Sequence, residues 1–174
     1  YIILRSTVFP GTTQKLQEFL DSTNRKVYIT FCPERIAQGK AIKELKELPQ
    51  IVSGFNAKAV KAVSQLFKRI TKEIIVLNPL EAELAKLFTN SFRYIKFAIS
   101  NQFYMISTSQ GVDFYKIYQA IKYKYPRAKD FPPAGFTAGP CLLKDTMQLN
   151  AFNNNNFPLG QAALLVNEGL PNFI

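Results

Sequence analysis

The distribution of hydrophobic and polar positions changes character once along this chain of 174 residues. In its first part, short apolar runs alternate with segments of helical spacing. Residues 1–8, 27–31 and 73–77 are predicted strands, and residues 51–53 form a short extended piece. Strands that alternate with helices predict an α/β layer with a mainly parallel sheet.

Two helices are predicted between these strands. Thr12 or Thr13 is expected to cap the first helix, which runs to about Ser22. Asn56 is expected to cap the second helix, which runs to about Arg69. Three apolar residues of this second helix fall on one stripe: Ala59, Val63 and Phe67.

The second part of the chain is predicted to be helical. Gly and Pro are absent from Leu80 to about Thr108, and apolar residues recur there at helical spacing, which predicts one long helix. Shorter helices are predicted at three places: residues 113–122, 144–153 and 161–170. The last of these is expected to end before Pro171.

These patterns divide the chain near residue 78. Residues 1–77 are predicted to form an α/β piece, and residues 78–174 an all-helical piece with one long central helix. The apolar stripe of the long helix is broad enough to serve as an oligomer interface, so a homodimer through residues 80–108 is expected.

The formal net charge of +10 raises the question of nucleic-acid binding. The lysines at positions 40, 43 and 46 alternate with Glu44 and Glu47, as on a solvated helical face. The densest basic group suits an anionic small molecule equally well: Lys122, Lys124, Arg127 and Lys129. The sequence has no zinc-finger spacing and no aromatic–basic repeat. The net charge is therefore the only feature of the sequence that favours nucleic-acid binding.

Histidine is absent, which excludes a Ser-His or Cys-His catalytic pair and argues against a zinc site. Acid–base chemistry then falls to Asp, Glu, Lys, Tyr or ordered water. No apolar run is long enough to span a bilayer, and two distant cysteines form no disulfide framework, so the cytoplasm is the expected location. The chain opens on Tyr1 inside a strand-like run, and we expect it to be a piece of a longer protein.

Cys141 is the strongest candidate for chemistry. It follows a turn of small residues in the predicted loop 123–143. Lys144 and Asp145 follow Cys141 by three and four positions. A thiol in such a setting is a candidate covalent nucleophile. The alternative is a small, inert core residue.

Polar residues on the long helix form a second candidate group. Lys86, Asn90 and Arg93 fall on one helical face. Lys86 and Asn90 could both donate hydrogen bonds to an oxyanion, and the alternative is a polar helix face in water.

Thr7 and Glu34 both fall at the ends of predicted strands, where an open α/β sheet holds its ligands. A hydroxyl and a carboxylate there could position a water molecule. The alternatives are an ordinary turn hydroxyl at Thr7 and a surface carboxylate at Glu34 that pairs with Arg35. The GxGxxG fingerprint of a pyrophosphate-binding turn is absent from the sequence.

Four segments, in this order, resemble motifs of one family, the UDP-glucose/GDP-mannose dehydrogenases. Arg5 to Thr13 resembles the turn R/K-S-T-V-x-P-G-T-T, and Pro33 to Ala41 resembles S-P-E-R/F-x-x-x-G-K/R-A. Glu83 to Arg93 resembles the helix E-x-x-K-x-x-x-N-x-x-R, and the cysteine loop resembles G-G-x-C-x-x-x-D. The match covers nearly the whole chain.

The resemblance implies a fold, a cofactor and partners. Residues 1–77 would be the C-terminal part of a Rossmann-like NAD-binding domain, and residues 78–174 the central helical dimerisation domain. The family uses two NAD to oxidise the primary alcohol of a nucleotide sugar to a carboxylate, in the service of polysaccharide biosynthesis. Neither a nucleic acid nor a membrane is an expected partner, and no metal is implied.

The resemblance also implies roles for residues. Cys141 would attack the aldehyde to form a thiohemiacetal, and a second oxidation would give a thioester that water hydrolyses. Lys86 and Asn90 would stabilise the oxyanion, and Asp145 would support Lys86 and the water.

Other roles concern the base and the ligands. Glu34, helped by Thr7 and a water, would act as the base. Thr7, Glu34 and Lys144 would contact the cofactor. The expected substrate-binding residues are Arg127, Phe136, Gly139 and Lys144, with Arg127 reaching the neighbouring subunit's sugar site and the loop 135–139 wrapping the sugar.

The sequence departs from the family pattern at two positions. Ala138 replaces the first glycine of the cysteine loop, and alanine restricts backbone angles there. Cys32 replaces the usual serine before Pro-Glu and is a second candidate thiol. A function of a different class remains open beside the enzyme, namely a non-catalytic helical dimerisation module.

Overall fold

A computed structural model describes residues 1–23, 26–37, 39–137 and 139–174 of the chain. The chain divides into two compact units, Tyr1–Leu87 and Phe88–Ile174. Ala138 lies outside the described residues, so the expectation attached to it has no structural counterpart. No described helix has the length and apolar character that a membrane crossing needs.

The first unit is built on a four-stranded sheet. Its strands are β1 (Ile2–Leu4), β2 (Ile29–Phe31), β3 (Gln50–Gly54) and β4 (Ile74–Leu77). Its helices are α1 (Thr12–Ser22), α2 (Ala41–Glu47), α3 (Ala57–Phe67) and the start of α4 (Pro79–Ser109). The α/β class is confirmed, although β1, β2 and β4 are shorter than predicted and β3 is longer than the extended piece predicted at residues 51–53.

The strands lie side by side in sequence order. β1 pairs with β2 in parallel and β3 pairs with β4 in parallel, but β2 and β3 are antiparallel. The prediction of a mainly parallel sheet holds for two of the three pairings. The residues of α2 are all described, and none of them is buried. The connection from β2 to β3 therefore lacks the packed crossover helix that is typical of a parallel pair.

The helix α3 confirms its predicted cap and stripe. The side chain of Asn56 accepts hydrogen bonds from the backbone N–H groups of Lys58 at 2.9 Å and Ala59 at 3.2 Å. Its three buried residues are the predicted ones: Ala59, Val63 and Phe67. Val63 and Phe67 pack with Cys32 and Val52 of the sheet layer, which fixes this helix on one face of the sheet.

The helix α1 has the predicted bounds but a different N-terminus. Gly11 is the N-cap residue at a φ of +90°, a conformation that glycine adopts without steric cost. Thr12 Oγ1 donates instead to the carbonyl oxygen of Phe9, and Thr13 Oγ1 donates to Glu83. The expectation that one of these threonines caps the helix is therefore wrong.

The second unit is helical. It contains most of α4, followed by α5 (Phe114–Lys122), a single 3₁₀ turn (Pro126–Ala128), α6 (Cys141–Phe152) and α7 (Pro158–Phe173). The single long helix predicted from residue 80 to residue 108 is confirmed. Tyr94 and Ala98 of α4 pack against Leu142 and Ala163 in the core of this unit.

The bounds of α6 and α7 differ from the sequence prediction. Helix α6 begins at Cys141 with Pro140 as its N-cap residue, so the cysteine opens a helix instead of lying in a loop. Helix α7 continues through Pro171. A proline removes one intrahelical hydrogen bond, but the N–H of Ile174 still donates to Leu170 O at 3.3 Å, so the last turn persists.

Candidate active site

A buried hydrogen bond joins the helices α4 and α6 beside the cysteine. Asn90 Nδ2 donates to Asp145 Oδ2 at 2.6 Å, and these residues are only 6% and 1% exposed. The other carboxylate oxygen, Oδ1, accepts from Lys144 Nζ at 2.6 Å. Burial of a carboxylate is costly unless it is paired, and Asp145 has two strong donors.

Cys141 is exposed and is the first residue of α6. The alternative of an inert core residue is therefore wrong for Cys141. Asp145 follows four residues later on the same helix, so both side chains lie on one side of α6. The free N–H groups at a helix N-terminus favour negative charge, which suits a reaction that builds charge near this sulfur.

Cys32, the second candidate thiol, lies in a different environment. It is fully buried in the cluster that includes Val52 and Phe67. Burial raises the pKa of the Cys32 thiol, because an apolar site disfavours the thiolate. A thiol of this kind is a packing residue and a poor nucleophile.

Lys86 and Asn90 both belong to α4, four residues apart. Lys86 is half-buried, in contrast to the fully buried Asn90. Arg93, the third residue predicted on this face, is exposed. The polar face of the helix therefore passes from burial at Asn90 to solvent at Arg93.

The loops that carry Thr7 and Glu34 lie side by side at the carboxyl edge of the sheet. β1 and β2 are in parallel register, with Leu4 opposite Phe31. Their backbone pairing continues beyond the strands, because Cys32 N donates to Leu4 O at 2.8 Å and Glu34 N donates to Arg5 O at 3.1 Å. Open α/β sheets hold nucleotides at this edge. The loops of Thr7 and Glu34 thus lie at the strand ends where the sequence predicts these two residues.

Glu34 is half-buried and forms an ion pair with Arg5. Its Oε1 also accepts from the backbone N–H groups of Arg35 at 2.8 Å and Ile36 at 3.1 Å. The Arg35 guanidinium donates to the carbonyl oxygen of Pro49 and also attracts Glu34 electrostatically. A carboxylate has about four lone-pair positions, and donors from the described residues occupy three of them.

Arg5 is a site residue that sequence reasoning missed. Its Nη1 donates to Gln50 Oε1 at 3.1 Å, and Gln50 Nε2 donates to Pro33 O at 3.2 Å. The guanidinium also lies 4.9 Å from the centre of the Phe67 ring. Arg5 thus holds the loop of Glu34 against the sheet, and its place at the head of the first motif was the available signal.

Glu83 is a second missed residue. It is only 1% exposed and accepts hydrogen bonds from Gly11 N at 2.6 Å, Thr13 N at 2.8 Å and Thr13 Oγ1 at 2.6 Å. The Glu83 carboxylate, in the first turns of α4, therefore caps the N-terminus of α1. Its negative charge also interacts favourably with the positive end of the α1 dipole. Its position three residues before Lys86 in the third motif was the signal.

The predicted substrate residues are accessible. Phe136 is 63% exposed, and Arg127 is exposed with its guanidinium 4.6 Å from the centre of the Tyr125 ring. Gly139 is exposed at a φ of +77°, and Lys144 is exposed while it pairs with Asp145. Within the described ranges, no group of three or more His, Cys, Asp or Glu is placed to hold a metal ion.

Comparison with protein families identifies the chain. Residues 1–72 match the NAD binding domain of the UDP-glucose/GDP-mannose dehydrogenase family, and residues 80–169 match its central domain. The chain belongs to this family of NAD-dependent nucleotide-sugar dehydrogenases. The matched NAD binding domain confirms NAD as the family cofactor that the sequence motifs predict.

Relatives agree with this assignment. The UDP-N-acetyl-D-mannosamine dehydrogenase of Methanococcus maripaludis is 32% identical over 176 residues, which include 99% of this chain and 40% of that protein. The structure of the UDP-D-ManNAc dehydrogenase of Pyrococcus horikoshii superposes with a TM-score of 0.89 at 31% identity, over 98% of this chain and 42% of that one.

A UDP-glucose dehydrogenase of Pyrobaculum islandicum also superposes, with a TM-score of 0.85 at 25% identity, over 98% of this chain and 41% of that one. The chain thus spans about 40% of the length of the curated relatives it matches. These matches establish its place in the dehydrogenase fold.

Proposed function

We propose that the chain is the central part of an enzyme that oxidises the primary alcohol of a UDP-hexose to the uronic acid. In this proposal residues 1–77 complete the NAD-binding domain, and residues 78–174 form the central helical dimerisation domain. The observation that carries the proposal is the exposed Cys141 at the start of α6, one turn before a buried Asp145 that is bonded to Asn90 of α4.

NAD, when bound, supplies the hydride acceptor for both oxidations. Thr7 and Glu34 fit its place, because their loops lie side by side at the carboxyl edge of β1 and β2. Lys144 is a third proposed contact, since its ammonium is exposed at the start of α6 and suits a phosphate or carboxylate group.

Glu34 acts through a water molecule, because the lone-pair position that remains on its carboxylate accepts one donor. The water, with Thr7, takes the proton of the sugar hydroxyl as the aldehyde forms. Cys141 Sγ then bonds to the carbonyl carbon and gives a thiohemiacetal. Oxidation of this adduct gives a thioester, and water cleaves the carbon–sulfur bond to release the carboxylate and restore the thiol.

Asn90 and Lys86 stabilise the negative oxygen that develops in these steps. The Asn90 amide has two N–H donors, and Asp145 Oδ2 accepts from the amide at 2.6 Å. Asp145 therefore fixes the direction of the amide, so that its other N–H can serve the oxyanion. Two preorganised donors at such a position are each worth roughly 10² to 10³ in rate.

The proposed substrate class is a UDP-N-acetylhexosamine, with UDP-N-acetylmannosamine as the first compound to test. Several matched relatives bear that name, including those of Methanococcus maripaludis and Pyrococcus horikoshii. Phe136, Gly139 and Arg127 are the residues proposed to contact it, and Arg127 is proposed to act on the neighbouring subunit's site.

The proposed homodimer uses α4. Five apolar residues that repeat at helical spacing on α4 are exposed, and they fall on one stripe: Phe88, Phe92, Ile99, Phe103 and Ile106. An exposed apolar stripe of this length is typical of a protein interface. We propose a cytoplasmic enzyme of polysaccharide synthesis on the basis of its substrate class.

The test is an assay of the full natural protein with NAD and each of UDP-N-acetylmannosamine, UDP-N-acetylglucosamine and UDP-glucose. Formation of two NADH per sugar, with a uronic acid product, supports the proposal. Absence of NADH formation with every nucleotide sugar contradicts it.

The same α4 stripe supports a second candidate, a non-catalytic helical dimerisation module. A calorimetric titration of the protein with NAD discriminates between the enzyme and the dimerisation module. Dimerisation without NAD binding favours the module, and saturable NAD binding favours the enzyme.

A further inference from the structure

The loop of residues 130–137 is held by a buried amide on α4. Asn101, which is fully buried, accepts at Oδ1 from Gly135 N at 2.8 Å, and its Nδ2 donates to Gly135 O at 3.1 Å. One side chain thus binds both backbone groups of one loop residue, much as a neighbouring strand would.

The orientation of this amide is itself fixed. Asn101 Nδ2 also donates to Asn167 Oδ1 at 2.8 Å, and Asn167 Nδ2 donates to Tyr94 O at 3.0 Å. All donors and one acceptor position of Asn101 are therefore used. A rotated amide would place its N–H groups against the N–H of Gly135, so only one orientation satisfies the site.

Further contacts hold the same loop along the helices. Ser100 Oγ donates to Pro132 O at 2.7 Å, and Lys96 Nζ binds Asp130 Oδ2 at 2.6 Å. The nearby ammonium lowers the pKa of the Asp130 carboxyl through this hydrogen bond. The carbonyl oxygen of Phe131 accepts from two side chains of α5: Tyr118 and Lys122.

The loop itself contributes no buried residue to the core. None of the residues from 130 to 137, all of which are described, is buried. Phe136, the residue after Gly135, is 63% exposed and so presents its ring to solvent from a fixed backbone. Phe136 precedes Cys141 by five positions in the sequence, and an exposed aromatic ring on an anchored loop suits contact with a sugar or a base.

We propose that Asn101 is a positioning residue that holds Gly135, and through it Phe136, in the shape that receives the nucleotide sugar. This inference rests on the proposed function, because it needs the loop to contact that substrate. Asn101 does not touch the reacting atoms and acts through the backbone of the loop.

The kinetic test uses Asn101→Ala and the milder Asn101→Ser in the full natural protein. The KM for the nucleotide sugar is expected to rise between about 10-fold and 100-fold, while the KM for NAD stays within twofold, because a displaced loop loses sugar contacts and leaves the carboxyl edge of the sheet intact. Gln102→Ala, at the exposed neighbour of Asn101 on α4, is the matched control and is expected to leave both constants unchanged.

Hydrogen exchange gives a readout that needs no activity. In Asn101→Ala the amides of residues 133–137 are expected to exchange at least tenfold faster, with no change in the centre of α4. If the wild-type protein oxidises no nucleotide sugar, the proposed function fails and the inference about the substrate fails with it, while faster loop exchange still shows that Asn101 holds the loop.

Three results overturn the proposal when the wild-type protein is active. One is unchanged loop exchange in Asn101→Ala. Another is an equal change in the KM values for sugar and NAD. The third is failure of both Asn101→Ala and Asn101→Ser to fold, because Asn101 would then support the helical core and not the loop.

Discussion

Asn90 and Asp145, on different helices and 55 positions apart in sequence, share a buried hydrogen bond of 2.6 Å. This bond joins the long helix α4 to α6 one turn after Cys141. The amide is held by the carboxylate, so its orientation does not depend on a bound ligand. Preorganised donors of this kind lose no energy to reorientation during a reaction.

In the full natural protein, replacement of Asn90 by Ala is therefore expected to lower kcat by about 10² to 10³, because it removes one proposed oxyanion donor. The same change leaves the Asp145 carboxylate with Lys144 as its remaining described partner, which is expected to cost about 1 to 3 kcal/mol of unfolding free energy. Steady-state assays and urea denaturation measure the two effects.

A double-mutant cycle with Asp145→Asn separates the direct bond from other effects. The two single changes are expected to couple by at least about 1 kcal/mol in stability, since the residues are in contact. Strictly additive effects would show that the bond contributes nothing.

The two cysteines are expected to differ sharply in reactivity. Cys141 is exposed at a helix start, and Cys32 is fully buried with a raised pKa. Iodoacetamide should therefore alkylate Cys141 in the native protein and leave Cys32 unmodified until the protein unfolds. Peptide mass spectrometry after timed labelling measures both rates.

The matching substitutions are Cys141→Ser and Cys32→Ser in the full natural protein. Cys141→Ser is expected to abolish formation of the uronic acid, because serine does not form the thioester, whereas Cys32→Ser should retain turnover. Wild-type turnover by Cys141→Ser contradicts the covalent mechanism.

Local signals predicted the helices well. Asn56 and the stripe of Ala59, Val63 and Phe67 give α3 a cap and a buried face within a dozen residues, so no distant information is needed. The start of α6 was missed because Gly139 and Pro140 look like a break, although Pro140 stands at the N-cap, where its missing N–H costs nothing.

Hydrogen-bond and ion-pair partners that are distant in sequence could not be predicted from local sequence patterns. Glu34 pairs with Arg5 across 29 positions, and Glu83 binds Thr13 across 70 positions. The motifs contained all four residues, but a motif does not say which donor meets which carboxylate. The antiparallel pairing of β2 with β3 was missed for a similar reason, because strand direction is decided by how the connecting segment packs.

Glu83 supports a prediction about stability. Its carboxylate accepts three hydrogen bonds at the buried N-terminus of α1. Glu83→Gln removes the charge and turns an N–H₂ group toward these donors, so the unfolding free energy is expected to fall by about 2 to 4 kcal/mol. Urea denaturation followed by circular dichroism measures the change.

Glu73→Gln is the matched control, since Glu73 is exposed, and its effect is expected to stay within about 0.5 kcal/mol. Equal effects of the two substitutions would show that Glu83 does not cap the helix in solution.

Tyr94 supports a prediction about alkaline pH. The residue is fully buried in the core of the helical unit, and its hydroxyl donates to Glu168 Oε1 at 2.7 Å. Burial, together with the hydrogen bond and the negative charge of Glu168, raises the pKa of Tyr94. An unfolded tyrosine has a pKa of about 10, so the folded state keeps a proton that the unfolded state releases first.

The contribution of the neutral Tyr94 hydroxyl to stability is therefore fully present below pH of about 10 and is lost as the pH rises above it. Urea midpoints of the wild type and Tyr94→Phe, measured from pH 7 to pH 11, are expected to converge above pH 10. At pH 7 the variant should be less stable by about 1 kcal/mol, because it loses one hydrogen bond. The loss is no larger because Glu168 is exposed, so water can replace the missing donor. A constant difference across this pH range would show that Tyr94 ionises equally in both states, contrary to its burial.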